Sequence, residues 1–199
     1  KIHIIAVPGA GCYGHSTADD AASDAAILAL EYPGKHVRVQ WSRHDEHSWD
    51  PFGPAIIMEV EASLDASGKI NAWKSEVWTD SHSTRPNSDP GTVLPARYLE
   101  NPVEMTSRGY LAGGHRNADP YYNIPNMQLN AHYYDGPLRV SSLRSLGAYT
   151  AIFSIESFMD QLAEMTKKDP LEFRLAHLED ERAIAIIRKI QGMTGQVSL

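Results

Sequence analysis

The amino-acid sequence predicts an α+β fold, with antiparallel β-strands in the middle of the chain and helices at both ends. Two long strand-like runs, 56–64 and 70–79, are separated by Asp65-Ala66-Ser67-Gly68, which suits a hairpin turn with Gly68 at positive φ. Alanines recur at helical spacing near the N-terminus, and apolar residues do so in the C-terminal quarter. A strand hairpin with helices on both sides of it in sequence is typical of an α+β domain.

The N-terminal part is predicted to contain a strand, a helix and a second strand. The β-branched and apolar residues over 2–7 are followed by Pro and Gly, which indicates a short buried strand. Thr17 and Asp20 form a helix start signal, so a helix is expected over about 18–31. Apolar residues alternate over 37–41, as they do in a strand.

The remainder of the chain divides into a loop-rich region and a helical region. Residues 81–126 are rich in Pro, Gly, Asn, Ser and His with little periodicity, and loop regions of this length are usually functional. A further strand is predicted over 128–134. Three helices are predicted over 148–191, the second of which begins at Asp169-Pro170-Leu171-Glu172, a combination of N-cap, Pro at N1 and acidic N3.

Composition excludes several classes of protein. Among 199 residues, 42% are hydrophobic and 22% charged, which is typical of a globular domain. The net charge of −7 argues against a nucleic-acid partner, because phosphate binding needs a basic face. No apolar run has the length that a membrane span requires. Cys12 is the single cysteine, so no intrachain disulfide is expected.

A glycine-rich loop follows the first predicted strand. Gly9, Gly11 and Gly14 match the G-x-G-x-x-G fingerprint, so an NAD(P)-binding Rossmann-type dehydrogenase is one alternative. Against it, the helical pattern starts only near Ala18, and the nearest acid beyond the second strand, Asp45, is too distant. A loop of this kind suits an oxyanion, a phosphate or a metal-oxo group, although a turn that binds nothing has the same spacing.

Several segments resemble the large subunits of molybdenum hydroxylases of the xanthine dehydrogenase and aldehyde oxidase type. Residues 11–15 and 18–22 are similar to the G-C-Y-G-H-N-x-A-D-D-A-A stretch of that family. Residues 138–147 resemble the motif P-L-R-V-S-A-L-R-S-L-G of its isoquinoline 1-oxidoreductase and nicotinate dehydrogenase branch. Further matches follow in order at 40–43, 116–117, 124–126, 155–160 and 169–174.

The resemblance implies that residues 1–199 are part of a molybdopterin-binding domain and an internal fragment of a larger subunit. The cofactor is expected in its cytosine dinucleotide form, with molybdenum that hydroxylates N-heteroaromatic or aldehyde substrates using oxygen from water. Electrons would leave through 2Fe–2S clusters on a small iron–sulfur subunit, towards an acceptor such as a cytochrome c. Bacterial cytoplasm and periplasm are both compatible with this branch.

The same resemblance assigns the candidate site residues. The expected cofactor contacts are Gly11, Cys12, Tyr13, Gly14, Ser142, Leu143 and Arg144. No direct metal ligand is expected. The catalytic base of the family lies on a segment downstream of this chain, so we expect no catalytic residue here and no activity from the chain alone.

Two residues, Thr17 and Leu146, are expected to line the substrate pocket. Thr17 stands where xanthine-oxidising relatives carry a glutamate, and Gly113 stands where they carry a substrate-orienting arginine. Leu143 and Leu146 replace two phenylalanines of those relatives, which removes an aromatic clamp for a flat purine. The resemblance therefore does not imply purine specificity.

Simpler structural interpretations stay open at this point. Arg144 has an alternative role as the ion-pair partner of a nearby acid such as Glu156. His44 and His47 have metal-like spacing, but a solvated surface turn has the same pattern. The acids Asp19-Asp20 at a helix start suit the helix dipole. The whole chain has a further alternative, a folded fragment that binds no cofactor by itself.

Overall fold

The computed structural model describes residues 1–9, 18–82, 89–105 and 113–194, which belong to two compact units. Unit 1 consists of Lys1–Pro54, Asp80–Gly113 and Tyr134–Leu146. Unit 2 consists of Ala55–Thr79, Gly114–Tyr133 and Gly147–Leu199. The predicted α+β class is confirmed, with the described strands in unit 2 and helices in both units.

The sheet of unit 2 begins with the predicted hairpin. Strands β1 (Ile56–Leu64) and β2 (Ile70–Thr79) pair antiparallel, and Gly68 in the turn has a φ of 73°. Strand β3 (Asn126–Tyr133) then pairs with β2 in parallel. The predicted antiparallel pairing is confirmed for β1 and β2, and the parallel strand β3 makes the sheet mixed. A parallel neighbour requires a long connection, which the loop-rich region between β2 and β3 supplies.

The predicted helical region is confirmed as α3 (Ala148–Met165), α4 (Pro170–Leu175) and α5 (Glu181–Thr194). Asp169 caps α4, because its Oδ1 accepts the backbone N–H groups of Leu171 and Glu172 at 2.9 and 3.0 Å. The buried core of unit 2 contains Ile70, Trp73, Tyr122, Ile124, Ile155, Met159, Leu162, Ala163 and Phe173. Helix α3 therefore packs on β1 and α4, and its Phe158 meets Trp73 of β2 edge to face. Apolar burial of this kind is the dominant favourable term in folding.

Unit 1 contains fewer regular elements. Helix α1 (Asp20–Glu31) confirms the predicted first helix, and α2 (Arg43–Trp49) starts with a capping box formed by Ser42 and Asp45. The loop-rich region 81–126 includes two short 3₁₀-helices, Pro90–Thr92 and Leu94–Tyr98. Unit 1 is thus held together largely by side-chain and loop hydrogen bonds.

Neither predicted N-terminal strand is formed. Residues 2–7 lack a pairing partner within the described ranges and are exposed, Ile5 to 72% and Val7 to 68%. Residues 37–41 also lie outside any strand, and the Trp41 indole instead donates to Asp24 of α1 at 2.9 Å. A Rossmann unit needs a central strand directly before its glycines. Residues 1–9 therefore do not form the strand that the dinucleotide-binding alternative requires.

Candidate cofactor-binding segment

A buried ion pair fixes the start of the segment that was expected to contact the cofactor. Arg139 Nη1 lies 2.7 Å from Asp20 Oδ2, and Nη2 lies 2.8 Å from Oδ1. The guanidinium also donates to the carbonyls of Trp49 and Thr92, and Asp20 Oδ1 accepts the N–H of Leu94. Only the contact of Nη2 with Oδ1 has hydrogen-bond geometry, and Asp20 Oδ2 and Arg139 Nε have no hydrogen-bond partner among the described residues. Mutual attraction of the two charges at 2.7 Å offsets part of their desolvation.

Backbone hydrogen bonds hold the next residues of the segment. Phe52 N–H donates to the Arg139 carbonyl at 2.9 Å, and Ser141 N–H donates to the Phe52 carbonyl at 2.9 Å. These bonds form an isolated parallel bridge between Phe52 and Val140. The Ser142 hydroxyl then donates to the carbonyl of His82. The segment is therefore anchored as far as Ser142, although a bridge and not a full strand precedes Arg144.

Beyond Ser142 the chain forms an exposed and strained turn, which we call the 142–146 turn. Leu143 is exposed and lies against Gly53, where an added Cβ would come within 2.7 Å of Leu143 Cδ1. Ser145 and Leu146 have φ angles of 77° and 54°, a region that non-glycine residues rarely adopt. Each such residue costs about 1–3 kcal/mol, and strain of this kind concentrates at binding and switch sites.

The guanidinium of Arg144 is exposed in this turn, and no hydrogen bond or ion pair joins it to another residue of the described chain. The Glu156 carboxylate, the alternative partner, is instead bound within unit 2. It accepts from the Tyr122 hydroxyl at 2.9 Å and from Arg174 Nε at 2.9 Å. Within the described residues of unit 1, Arg144 therefore has no acidic partner, and its planar guanidinium is of a kind that suits an external anion.

Leu146 and Gly113, two positions expected near the substrate, are adjacent in unit 1. A Cβ added to Gly113 would lie 3.2 Å from Leu146 Cδ1, and Gly113 itself has a φ of 75°. A larger residue at position 113 would therefore require both a strained backbone and a shift of Leu146.

A buried histidine lies next to the anchored part of the segment. The His82 side chain is buried, and neither ring nitrogen has a hydrogen-bond partner. Burial lowers the pKa of His82, an effect that nearby Asp80 partly opposes. The Asp80 carboxylate accepts the N–H groups of Ser81 and Gly136 at 2.6 and 2.9 Å, so the position of this segment is well defined.

These features fit an anionic, oxygen-rich ligand such as molybdopterin. An exposed arginine donates paired hydrogen bonds to phosphate oxygens. A buried polar atom without a partner is rare, and each instance calls for an explanation such as an unseen ligand or water. The donors available in unit 1 therefore suit the group that the sequence resemblance implies.

Other predicted site residues do not add to this arrangement. Gly11, Cys12, Tyr13, Gly14 and Thr17 lie outside the described residues, so their roles stay predictions. His44 and His47 lie on α2, and the described ranges contain no group of three His, Cys, Asp or Glu side chains that could hold a metal.

Three residues that shape the segment are not predicted by the sequence patterns. Asp20 stands in the first turn of α1, as expected for a residue that favours the helix dipole, but its carboxylate is also the buried partner of Arg139, which the sequence did not predict. Arg139 belongs to the motif over 138–147, in which only the second arginine was expected to have a role. The position of Arg139 between the apolar residues Leu138 and Val140 could have indicated a buried ion pair. His82 had no distinguishing sequence signal among the scattered histidines.

Comparison with known proteins identifies the family of the chain. Residues 1–178 match the molybdopterin cofactor-binding domain family. The chain is 35% identical over 190 residues to a nicotinate dehydrogenase subunit of Pseudomonas putida, covering 94% of this chain and 15% of that protein. It is 31% identical over 186 residues to the beta subunit of isoquinoline 1-oxidoreductase of Brevundimonas diminuta, covering 92% of this chain and 22% of that protein.

A solved structure has the same fold. Aldehyde oxidoreductase from Desulfovibrio gigas superposes with a TM-score of 0.61 at 20% identity, over 87% of this chain and 18% of that chain. Fold and family match together define a molybdopterin-binding protein, and the chain belongs to the molybdopterin cofactor-binding domain family. It spans only 15% and 22% of the length of the two curated relatives. None of the described helices is both long and apolar enough to cross a membrane.

Proposed function

We propose that this chain is part of the cofactor-binding subunit of a molybdenum hydroxylase, an oxidoreductase that hydroxylates an N-heteroaromatic or aldehyde substrate with oxygen from water. The family match over residues 1–178 carries the proposal. The substrate class is supported by relatives named nicotinate dehydrogenase, isoquinoline 1-oxidoreductase and aldehyde oxidoreductase. We propose that both units belong to one molybdopterin-binding domain.

The 142–146 turn provides the contacts of this chain with the cofactor. Arg144 donates its guanidinium hydrogen bonds to cofactor oxygens, for which its planar fork is suited. Ser142 and Leu143 hold the turn in place through their side chains, because the Ser142 hydroxyl donates to the His82 carbonyl and the Leu143 side chain packs at Gly53. Their backbone groups offer further contacts to the cofactor. When bound, the molybdenum centre supplies the redox and hydroxylation chemistry. The loop Gly11–Gly14 forms a second set of contacts to the same group.

The substrate side of the pocket includes Leu146 and Thr17. Leu146 presents an aliphatic side chain beside Gly113, so it offers neither an aromatic face nor a charge to the substrate. The substrate is therefore oriented by residues outside this chain, together with the catalytic base. For this reason we expect the isolated chain to be inactive.

The chain functions within a larger assembly. Tyr149, Ile152 and Phe153 form an exposed apolar stripe on α3, 77%, 43% and 72% exposed respectively. Exposed apolar patches commonly mark interaction surfaces. We expect another part of the longer subunit to pack on this stripe. The cofactor takes the cytosine dinucleotide form, and a small subunit with 2Fe–2S clusters carries electrons to an acceptor such as a cytochrome c.

Oxygen labelling of the product tests the function. The full-length subunit, co-expressed with its iron–sulfur partner, is incubated in H₂¹⁸O with N-heteroaromatic acids or aldehydes and an artificial electron acceptor. From an N-heteroaromatic substrate we expect one ¹⁸O atom from water per product molecule. From an aldehyde, whose carbonyl oxygen exchanges with water, we expect at least one. Oxygen derived from O₂, or a purified complex without molybdenum and pterin, would overturn the proposal and favour a fold that binds no cofactor.

A further inference from the structure

Two buried histidines of the described chain differ sharply in their hydrogen bonding. His177, in unit 2, is 2% exposed. Its Nδ1 lies 2.7 Å from the Phe173 carbonyl, and its Nε2 accepts the Ile70 N–H at 2.9 Å. His82, in unit 1, is 3% exposed, yet both of its ring nitrogens lack partners. His177 is therefore a satisfied core histidine, whereas His82 is not.

An unsatisfied buried imidazole is unfavourable. A neutral imidazole carries one N–H donor and one acceptor nitrogen, and both lose water on burial. Burial without a partner forfeits the hydrogen bonds that water would have made. Such a group persists in a folded protein when a ligand satisfies it or when the surrounding structure fixes it in place.

The surroundings of His82 tie it to the 142–146 turn. The His82 carbonyl accepts a hydrogen bond from the Ser142 hydroxyl. This bond holds the backbone of His82 beside Ser142, which lies two residues before Arg144 in the chain. On the other side, Asp80 is held by the N–H groups of Ser81 and Gly136. The backbone of His82 is therefore held by the same network that holds the proposed cofactor contacts, and this placement brings its side chain to that part of unit 1.

We propose that His82 is a cofactor-binding residue whose imidazole N–H donates to an oxygen of molybdopterin. This inference rests on the proposed function. The pterin carbonyl and the phosphate of molybdopterin are both oxygen acceptors, and a neutral donor suits either of them. Because burial keeps the ring uncharged, His82 contributes hydrogen bonding and orientation, while Arg144 contributes charge.

The test compares His82→Leu with His177→Leu in the full-length subunit co-expressed with its partner. Molybdenum by mass spectrometry and released pterin by fluorescence are measured per folded protein, and thermal midpoints are measured on cofactor-free samples. We expect His82→Leu to lower molybdenum and pterin at least about fivefold, the effect of losing one hydrogen bond. The cofactor-free midpoint should stay equal to the parent's or rise, because an unsatisfied polar group has been removed.

His177→Leu should do the opposite, with a lower cofactor-free midpoint and an unchanged metal content per folded protein. His82→Gln retains an N–H donor and should keep more cofactor than His82→Leu. If His82→Leu loses no more molybdenum than His177→Leu does, or if Gln and Leu behave alike, the role of His82 is refuted while the proposed function stands. A parent complex that contains no molybdenum refutes the proposed function itself.

Discussion

Replacing Arg139 with methionine tests whether the buried ion pair holds the 142–146 turn in place. Methionine has a similar volume but removes the two contacts to Asp20 and the hydrogen bonds to the carbonyls of Trp49 and Thr92. The Asp20 carboxylate, whose side chain is 1% exposed, would keep only the Leu94 N–H among these partners. The variant therefore leaves a buried negative charge without its counterion.

The expected loss is large because the pair is shielded from solvent. The side chains of Arg139 and Asp20 are 10% and 1% exposed, so screening by water is small. Removing one partner of a buried pair costs about 3–5 kcal/mol. In Asp20→Asn the side-chain amide oxygen still accepts the Leu94 N–H, and Arg139 still donates to two carbonyls. The expected loss of unfolding free energy is therefore smaller, about 1–3 kcal/mol. The double variant should lose less than the sum, because it contains no uncompensated carboxylate.

Urea denaturation of the parent, both single variants and the double variant measures this coupling. Coincident transitions in circular dichroism and tryptophan fluorescence justify a two-state free energy for each protein. Losses that add within about 0.5 kcal/mol, or an Arg139→Met loss below about 1 kcal/mol, would show that the pair is not an anchor of unit 1.

Three further variants test the packing of unit 2. Gly147→Ala should destabilise unit 2, because the added Cβ would lie 1.9 Å from the Gly114 carbonyl oxygen. Gly192→Ala in α5 is the control: its Cβ would meet nothing within 4 Å, so the variant should be more stable than the parent by about 0.4–1 kcal/mol. Equal changes in the free energy of unfolding in urea would contradict the packing around Gly147. Burial lowers the pKa of His177 from 6.5, and the Ile70 N–H donates only to the unprotonated Nε2 of its ring. The stability that neutral His177 contributes is therefore fully present above pH 6.5. It declines as the pH falls through the lowered pKa of the folded protein. A His177→Gln protein should lose less unfolding free energy between about pH 7.5 and 5 than the parent, and identical slopes would refute that origin.

Local patterns were sufficient for the elements whose information lies within one segment. The hairpin over 56–79 follows from alternating polarity and Gly68, and the helices from periodicity and caps. Parallel pairing of β3 with β2 depends on packing between segments about fifty residues apart, such as Asn126 opposite Ala72. The apolar run over 2–7 was predicted as a strand from its composition alone. It does not form one, because a strand also needs a neighbouring strand to pair with, and a hydrophobic pattern does not indicate whether one is present.

The candidate site was predictable only in part, for a related reason. The motif over 138–147 identified the 142–146 turn, and the structure adds its exposure and strain. The ion pair between Arg139 and Asp20 joins residues 119 positions apart. Patterns within one sequence do not indicate which distant residues pair. The unpartnered state of His82 likewise depends on the folded surroundings of the ring.

The most direct test of the central claim, that the 142–146 turn binds molybdopterin, is the molybdenum content of the full-length Arg144→Lys subunit. Lysine keeps the charge but loses the planar fork that donates two parallel hydrogen bonds. We expect cofactor binding to weaken by about 1–3 kcal/mol, with a correspondingly lower molybdenum-to-protein ratio. The thermal midpoint of the cofactor-free variant should equal that of the cofactor-free parent, because Arg144 is exposed and supports no core packing. A full molybdenum complement in Arg144→Lys, or a large drop in its cofactor-free midpoint, would contradict the claim.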